Sequence, residues 1–327
     1  MGLEKVRPAG SSGVRAPSRA DFPVPVQKAF AFGDGLKKEA RQQHEKRGED
    51  KPAPAPSKIK EIKFTVGAQG RPKIRHDHGF LDDGNGNIDS SKRRAATTED
   101  RLLLAKWIAK LEVAEALRPE LVYGTTAYRH FLFGRGMKRT LNYERFIQND
   151  SSGQRVLTSA IEDTTTAALT FHLGRLPFSP AKPLRDSFQF QSQVISVGGS
   201  DLRYPYAATE NWQKAIGAHY IWLDATATID VNPEKKLRSL DVQLTLNAED
   251  MYNFNPGAAD IATQTPDADN GRFELCGLGH EYLNTSVLTR SLSLKVPFDF
   301  KGDFRKAASG VSVGRGGRTT APADARR

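Results

Sequence analysis

The chain reads as an α+β fold, with helices first and a mostly antiparallel sheet after them. Three observations predict this. Apolar residues recur at helical spacing through 97–133, they alternate with polar residues from about 167 onward, and both ends have compositions that do not bury a core.

The ends also hold the excess charge. The 327 residues carry 48 Lys+Arg against 38 Asp+Glu, a net charge of +10. Residues 1–96 have 20 basic against 12 acidic side chains and 301–327 have 7 against 2, which leaves the stretch between them at −3. A nucleic-acid-binding core carries its own basic surface, so this one is not expected to bind nucleic acid specifically. Residues 1–95, rich in Pro, Gly, Ser, Ala and charge, are predicted to be a disordered basic arm. Within the arm, 26–45 has helical spacing and 59–66 reads as a lone strand. Residues 301–327 form a second expected flexible tail, and 96–300 the ordered domain between the two. No run of about 18 apolar residues exists, so no membrane span is predicted. Cys276 is the sole cysteine, which excludes a disulfide framework. The first residues lack an apolar h-region, so no signal peptide is expected.

Thr97 and Asp100 form a capping-box pair, and Leu102, Leu103, Trp107, Ile108, Leu111 and Leu117 follow on helical spacing until Pro119. A second helix is predicted over 125–133, closed by Gly134, and a third over 155–162. Strands are predicted at 168–173, 188–197 and 215–231. The clearest strand has Leu240, Val242, Leu244 and Leu246 on one face and Asp241, Gln243 and Thr245 on the other. The last two form a hairpin across 232–236 with one wet face. Residues 255–271 read as a loop, 273–283 as helical, and 288–296 as a final strand.

Two clusters carry metal- or substrate-binding residue types. The first is Arg75-His76-Asp77-His78 followed by Asp82-Asp83-Gly84-Asn85-Gly86-Asn87-Ile88-Asp89. A calcium loop started at Asp83 would need Gly where Ile88 stands and Glu where Arg94 stands, so the reading is a polar loop. Gly134-Arg135-Gly136 follows no strand, which excludes a dinucleotide loop. The second cluster is Glu249-Asp250-Met251-Tyr252-Asn253-Phe254-Asn255-Pro256, which puts a carboxylate, a phenol and amides where the hairpin opens into a long loop.

These last residues resemble a signature of the colicin M family of bacteriocins, Asp-Lys-Tyr-Asp-Phe-Asn after a matching hairpin. His130-Phe131-Leu132-Phe133-Gly134-Arg135-Gly136-Met137-Lys138-Arg139-Thr140-Leu141 is similar to the family's helix-end pattern, in the right order and at approximate spacing. The likeness spans residues 124–297. It implies a curved half-barrel sheet with helices beside it and hydrolysis, aided by Mg²⁺, of the bond between the undecaprenyl chain and the pyrophosphate of lipid II. Carried over residue by residue, Asp250 matches the first Asp, also as the metal ligand, and Tyr252 the Tyr. Asn253 stands where the family has a second Asp, and an amide is neither base nor anionic nucleophile. The family's His-Arg pair is replaced by Ala259-Asp260. Asp260 is therefore the candidate for the missing carboxylate, Arg272 for the cation and His280 for the acid, with Asn253, Asn255 and Arg139 as substrate contacts. Such chemistry needs charge on the pyrophosphate neutralised and a carboxylate to activate water or to attack.

The resemblance implies an antibacterial toxin that blocks peptidoglycan synthesis. Its partners would be lipid II and a cognate immunity protein, with the membrane touched only through the lipid. It would be released or injected without a signal peptide and act in the periplasm of a target bacterium. Two other readings stay open: a catalytically inactive binding or virion-associated protein, and nucleic-acid binding through the basic termini.

Overall fold

The computed structural model describes residues 61–67, 70–175, 183–233, 237–261 and 263–297. Chain contacts separate residues 1–54 and 262–264 from residues 55–261 and 265–327, and every element named below lies in the second unit. The helix expected at 26–45 and the tail expected at 301–327 fall outside the described residues.

Helices α1 (Thr98–Leu117), α2 (Val122–Phe133), α3 (Tyr143–Asn149) and α4 (Ser151–Arg175) come first, and α5 (Glu210–Ala215) and α6 (Ala268–Cys276) lie between later strands. The strands are β1 (Phe64–Val66), β2 (Arg139–Thr140), β3 (Leu184–Ser192), β4 (Ile195–Val197), β5 (His219–Asn232), β6 (Leu237–Tyr252) and β7 (Tyr282–Pro297). They form one open sheet in the order β1-β3-β5-β6-β7-β2, with β4 also beside β5. Every pairing is antiparallel except β2 with β7. The α+β class with a mostly antiparallel sheet is thus the observed one.

Local chemistry explains the starts and stops. Thr97 accepts the Asp100 amide and Asp100 Oδ2 accepts the Thr97 amide, a complete capping box for α1. Gly277, at φ 70°, ends α6 in the left-handed conformation. Gln191 pairs with Asp224 but Ile195 with Ile221, so the β3–β4 side holds one extra residue. This bulge flips the parity of the buried face, from Phe188 and Phe190 before it to Ile195 and Val197 after it.

The main core lies on the even-numbered face of β6. Leu240, Val242, Leu244, Leu246 and Ala248 pack with Ala225, Ala227 and Ile229 of β5 and with Val156, Ala160 and Phe171 of α4. Each large apolar side chain buried there contributes about 1.5–3 kcal/mol. A second cluster joins Phe131, Leu132, Phe273 and Tyr282, with Trp107, Tyr128, Tyr252 and Phe254 packed on it.

Several expectations are corrected. Residues 168–173 are helical, within α4: Val156, Ala160, Ala167, Ala168 and Phe171 fall on one helical face, and the run is too short to show that period by itself. Residues 273–283 are not one helix, because Gly277 stops α6 and β7 begins at Tyr282. Ala215 closes α5, and β5 starts only at His219. β1 is not a lone strand but the sheet edge against β3. Much of 61–95, expected to be arm, packs on the sheet: Ile62, Phe64 and Leu81 are buried, and Arg71 and His78 pair with Glu249 and Glu281. The composition of this stretch is polar, but a few apolar anchors and specific ion pairs suffice to seat it.

Candidate functional site

Alternation along β6 carries one polar residue into the buried face. Ala248 belongs to the main core and Tyr252 packs on the second cluster, so Asp250 sits between the two. It is 8 % exposed. Directly opposite on β7 is Asn284, and opposite Asn284 on β2 is Arg139, so three adjacent strands present one polar row. Asn284 Nδ2 donates to Asp250 Oδ2 at 3.2 Å, and the buried Asn284 Oδ1 has no hydrogen-bond partner among the described residues. Leu141, Ile216, Asp250 and Ser286 surround a gap here too narrow to hold a water molecule. Burial pushes the Asp250 carboxyl up to about 8; the Asn284 bond opposes this and the charge of Asp77 adds to it. At neutral pH the group holds its proton.

Arg139 is delivered by a tight turn after α2. A Cβ at Gly134 would lie 2.7 Å from the His130 ring, so only glycine lets the chain pass. Arg135 and Gly136 follow at φ 51° and 72°, and His130 Nε2 donates to the Met137 carbonyl at 2.7 Å, closing the turn. Arg139 Nη1 then reaches Tyr282 Oη at 3.5 Å. Tyr282 donates to the Ala127 carbonyl at 2.9 Å and stacks on Tyr252, with centroids 5.0 Å apart. Burial lifts the Tyr252 phenol well above its ordinary value, so it stays a neutral donor.

The loop after β6 is held by carboxylates from elsewhere. Asn253 Nδ2 donates to Asp77 Oδ1 at 2.6 Å and to its carbonyl at 2.9 Å. The Phe254 amide donates to Glu274 Oε1 at 3.0 Å, and the Asn255 amide to Asp267 Oδ2 at 3.1 Å. Asn255 thus enters through its backbone. Burial raises Glu274 to about 8.

Three expected site residues have other partners. Arg272 on α6 turns to α1 and binds Asp100, with Nε at 3.0 Å and Nη2 at 2.8 Å from Oδ1. Asp260 pairs with Lys214, and its amide donates to Thr265. His280 is lowered below its ordinary value by burial and by Arg93 and Arg135, which places it beside the α2 turn. Arg272 is carried to α1 by α6, and His280 follows that helix, whereas Asp260 and Asp250 both act on the Tyr206 phenol.

The donor set does not suit a resident Mg²⁺. Asp250 is the one carboxylate of its row, beside the Asn284 amide and the Arg139 guanidinium, a set poor in anionic oxygens for a dedicated Mg²⁺ site. Among the described residues no group of three His, Cys, Asp or Glu side chains is placed to hold a metal. In the 82–89 loop, Asp82 Oδ1 accepts from the Gly84 and Gly86 amides and Asp83 Oδ1 from Asn85 and Asn87. These carboxylates serve local turns.

Sequence reasoning missed Asn284, Asp77 and Tyr206. Asn284 and Ser286 are polar residues in the register that buries Leu288, a signal obtained by extending the final strand backward. Tyr206 feels the charges of Asp250, Asp260 and Asp267, which add to burial in raising its phenol. Its ring sits against Gly198 and Gly217, where added Cβ atoms would approach to 2.8 and 3.2 Å.

No protein-family model matches the chain, and no curated protein matches it. Among solved structures it is similar to PaeM, a colicin M-like bacteriocin produced by Pseudomonas aeruginosa. The identity is 15% and the TM-score 0.29, over 54% of this chain and 51% of that one. The chain thus spans about half the length of that structure.

Proposed function

We propose that this chain is an antibacterial toxin that hydrolyses the phosphoester joining the undecaprenyl chain to the pyrophosphate of lipid II. The observation that carries the reading is the row of buried Asp250 and Asn284 with half-buried Arg139, at the end of the strand whose signature resembles that family. Asp250 is the acid. Held protonated by burial, it can give its proton to the prenyl oxygen as the bond from that oxygen to phosphorus breaks. Arg139 offers a guanidinium fork to the pyrophosphate oxygens. Tyr252, neutral and two residues along the same face, can donate a further hydrogen bond. Phe133 and Met137, both exposed beside the turn that leads to Arg139, are apolar surface for the start of the polyprenyl chain. Mg²⁺ enters as a counter-ion of the pyrophosphate, and no step passes through it.

The proposal includes action in the periplasm of a target cell and a cognate immunity protein in the producer. No helix among the described residues is long and apolar enough to cross a membrane, so the lipid would be met from the bilayer surface. Incubating the purified chain with lipid II and Mg²⁺ tests the reading. Free undecaprenol is the expected product; intact lipid II under conditions where the chain is folded would overturn it.

A further inference from the structure

An acid that stays protonated needs a base beside it. Hydrolysis moves two protons: one leaves the attacking water, and one reaches the departing oxygen. Asp250 can supply the second but, while protonated, cannot accept the first. A site that uses two carboxylates separates them by environment, one buried and protonated, the other solvated and ionised.

The segment from Gly70 to Phe80 brings such a group. Arg71 holds Glu249 at 2.7 and 2.5 Å, and His76 Nε2 lies 3.4 Å from the same carboxylate. His78 Nδ1 donates to Glu281 Oε1 at 2.9 Å. Gly79, at φ 54°, lies so close to the Phe254 carbonyl that a Cβ would approach to 2.2 Å. These anchors lie on either side of Asp77. Its Oδ1 accepts from Asn253 at 2.6 Å and from the Gly79 amide at 3.2 Å. No hydrogen bond to Oδ2 is present among the described residues. Asp77 is exposed, only the last two strand residues, Met251 and Tyr252, separate its partner Asn253 from Asp250, and its charge reaches both Asp250 and Glu281.

We propose that Asp77 is the second carboxylate of the site, the base that takes the proton from the attacking water, and this rests on the lipid II reading above. The water oxygen bonds to phosphorus and its proton goes to Asp77 Oδ2. The bond from phosphorus to the prenyl oxygen breaks, and that oxygen takes the proton of Asp250. Exchange with solvent then returns Asp77 to its anion and Asp250 to its acid. The products are the prenyl alcohol and the pyrophosphate-linked remainder. Asn253, which cannot itself be a base, is the residue that positions Asp77.

The test is Asp77→Asn in the full chain, which keeps an oxygen acceptor for Asn253 and Gly79 and removes only the charge. Lipid II turnover should fall by at least about a hundredfold, while the alkaline limb of the pH profile, set by Asp250, remains in whatever activity is left. The Asp250 carboxyl, followed by carbon NMR, should titrate lower than in the wild type. Asn253→Ala, which frees the carboxylate without removing it, should give a partial loss, and it decides the matter if Asp77→Asn does not fold. Turnover within about threefold of wild type in the Asp77 variant, with Asp250→Asn inactive, would overturn this assignment alone. A folded wild type inert towards lipid II would remove the reading on which it stands, and the assignment with it.

Discussion

Asp250 and Asn284 face each other across β6 and β7, two positions along from the stacked rings of Tyr252 and Tyr282. The pair is polar on a face that is otherwise apolar from Leu240 to Ala248. Such a placement weakens the fold, because a buried polar group needs partners and Asn284 Oδ1 has none among the described residues. The sheet would be more stable with leucines there, so the placement is best explained by chemistry.

That cost has a pH signature. Asp250 and Glu274 are both raised to about 8 in the folded chain by burial. Between their unfolded values near 4 and about 8, the folded state keeps protons that the unfolded chain has released. Stability from these groups therefore declines as pH rises through that window, and the decline is complete above it. Asp250→Asn, being uncharged, escapes this. Urea unfolding at about pH 6 and about pH 9 should show a smaller loss for the variant than for the wild type, by about 1–3 kcal/mol. Parallel curves for the two proteins would contradict the buried, protonated state. The same variant should be inactive.

Arg139 is expected to matter for turnover more than for folding. Among the described residues its guanidinium makes one long hydrogen bond, 3.5 Å to Tyr282, so its fork is largely uncommitted there. Arg139→Gln should lower turnover about a hundredfold or more with little change in the urea midpoint. Arg139→Lys should recover part of the rate, as a point charge replaces a fork. A glutamine variant with wild-type kinetics would take Arg139 out of the site.

The legible parts of this fold are those with a local period. β6 shows its faces in Leu240, Val242, Leu244 and Leu246 against Asp241, Gln243 and Thr245, and the same count places Asp250 and Tyr252 inward. The cap at Thr97 is equally local. What escaped is either long-range or masked by a wrong neighbour. Reading 273–283 as helix hid the start of β7, and with it Asn284. Asp77 was visible as a polar residue, but its contact with Asn253 joins positions 176 apart, and no sequence period marks such a pair. Arg272 looked suitable because it follows the signature closely; α6 carries it to Asp100 instead.

The glycines of the 70–94 segment separate strain from crowding. Gly79 and Gly84 both have positive φ, at 54° and 84°. A Cβ at Gly79 would meet the Phe254 carbonyl at 2.2 Å, whereas nothing lies within 4 Å of one at Gly84. Gly84→Ala should cost only the backbone preference, about 1 kcal/mol. Gly79→Ala adds a clash with backbone that has no room to move, so its cost should exceed that of Gly84→Ala by about 2 kcal/mol. It should also displace Asp77 and lower turnover. Equal effects in thermal unfolding would mean that the segment is not seated as described.

Arg272 provides the contrast between a residue that builds the domain and one that works in its site. Asp100 is fully buried at the start of α1, and Arg94 beside it holds its carboxyl far below the usual range, helped by the Thr97 amide and by Arg272. Two guanidiniums and the cap thus converge on one anion. Removing either cation leaves that anion less well compensated, and the loss falls on α1 and α6. Arg272→Ala should therefore lower the melting temperature and shift acid unfolding to higher pH, since the carboxylate, now weakly held, protonates sooner. Its kcat on lipid II per folded molecule should stay within about twofold of wild type. The opposite pattern, an unchanged melting temperature with a collapsed kcat, would return Arg272 to the catalytic role that its place in the sequence suggested, and would mean that the phosphate is bound on the α6 side rather than by Arg139.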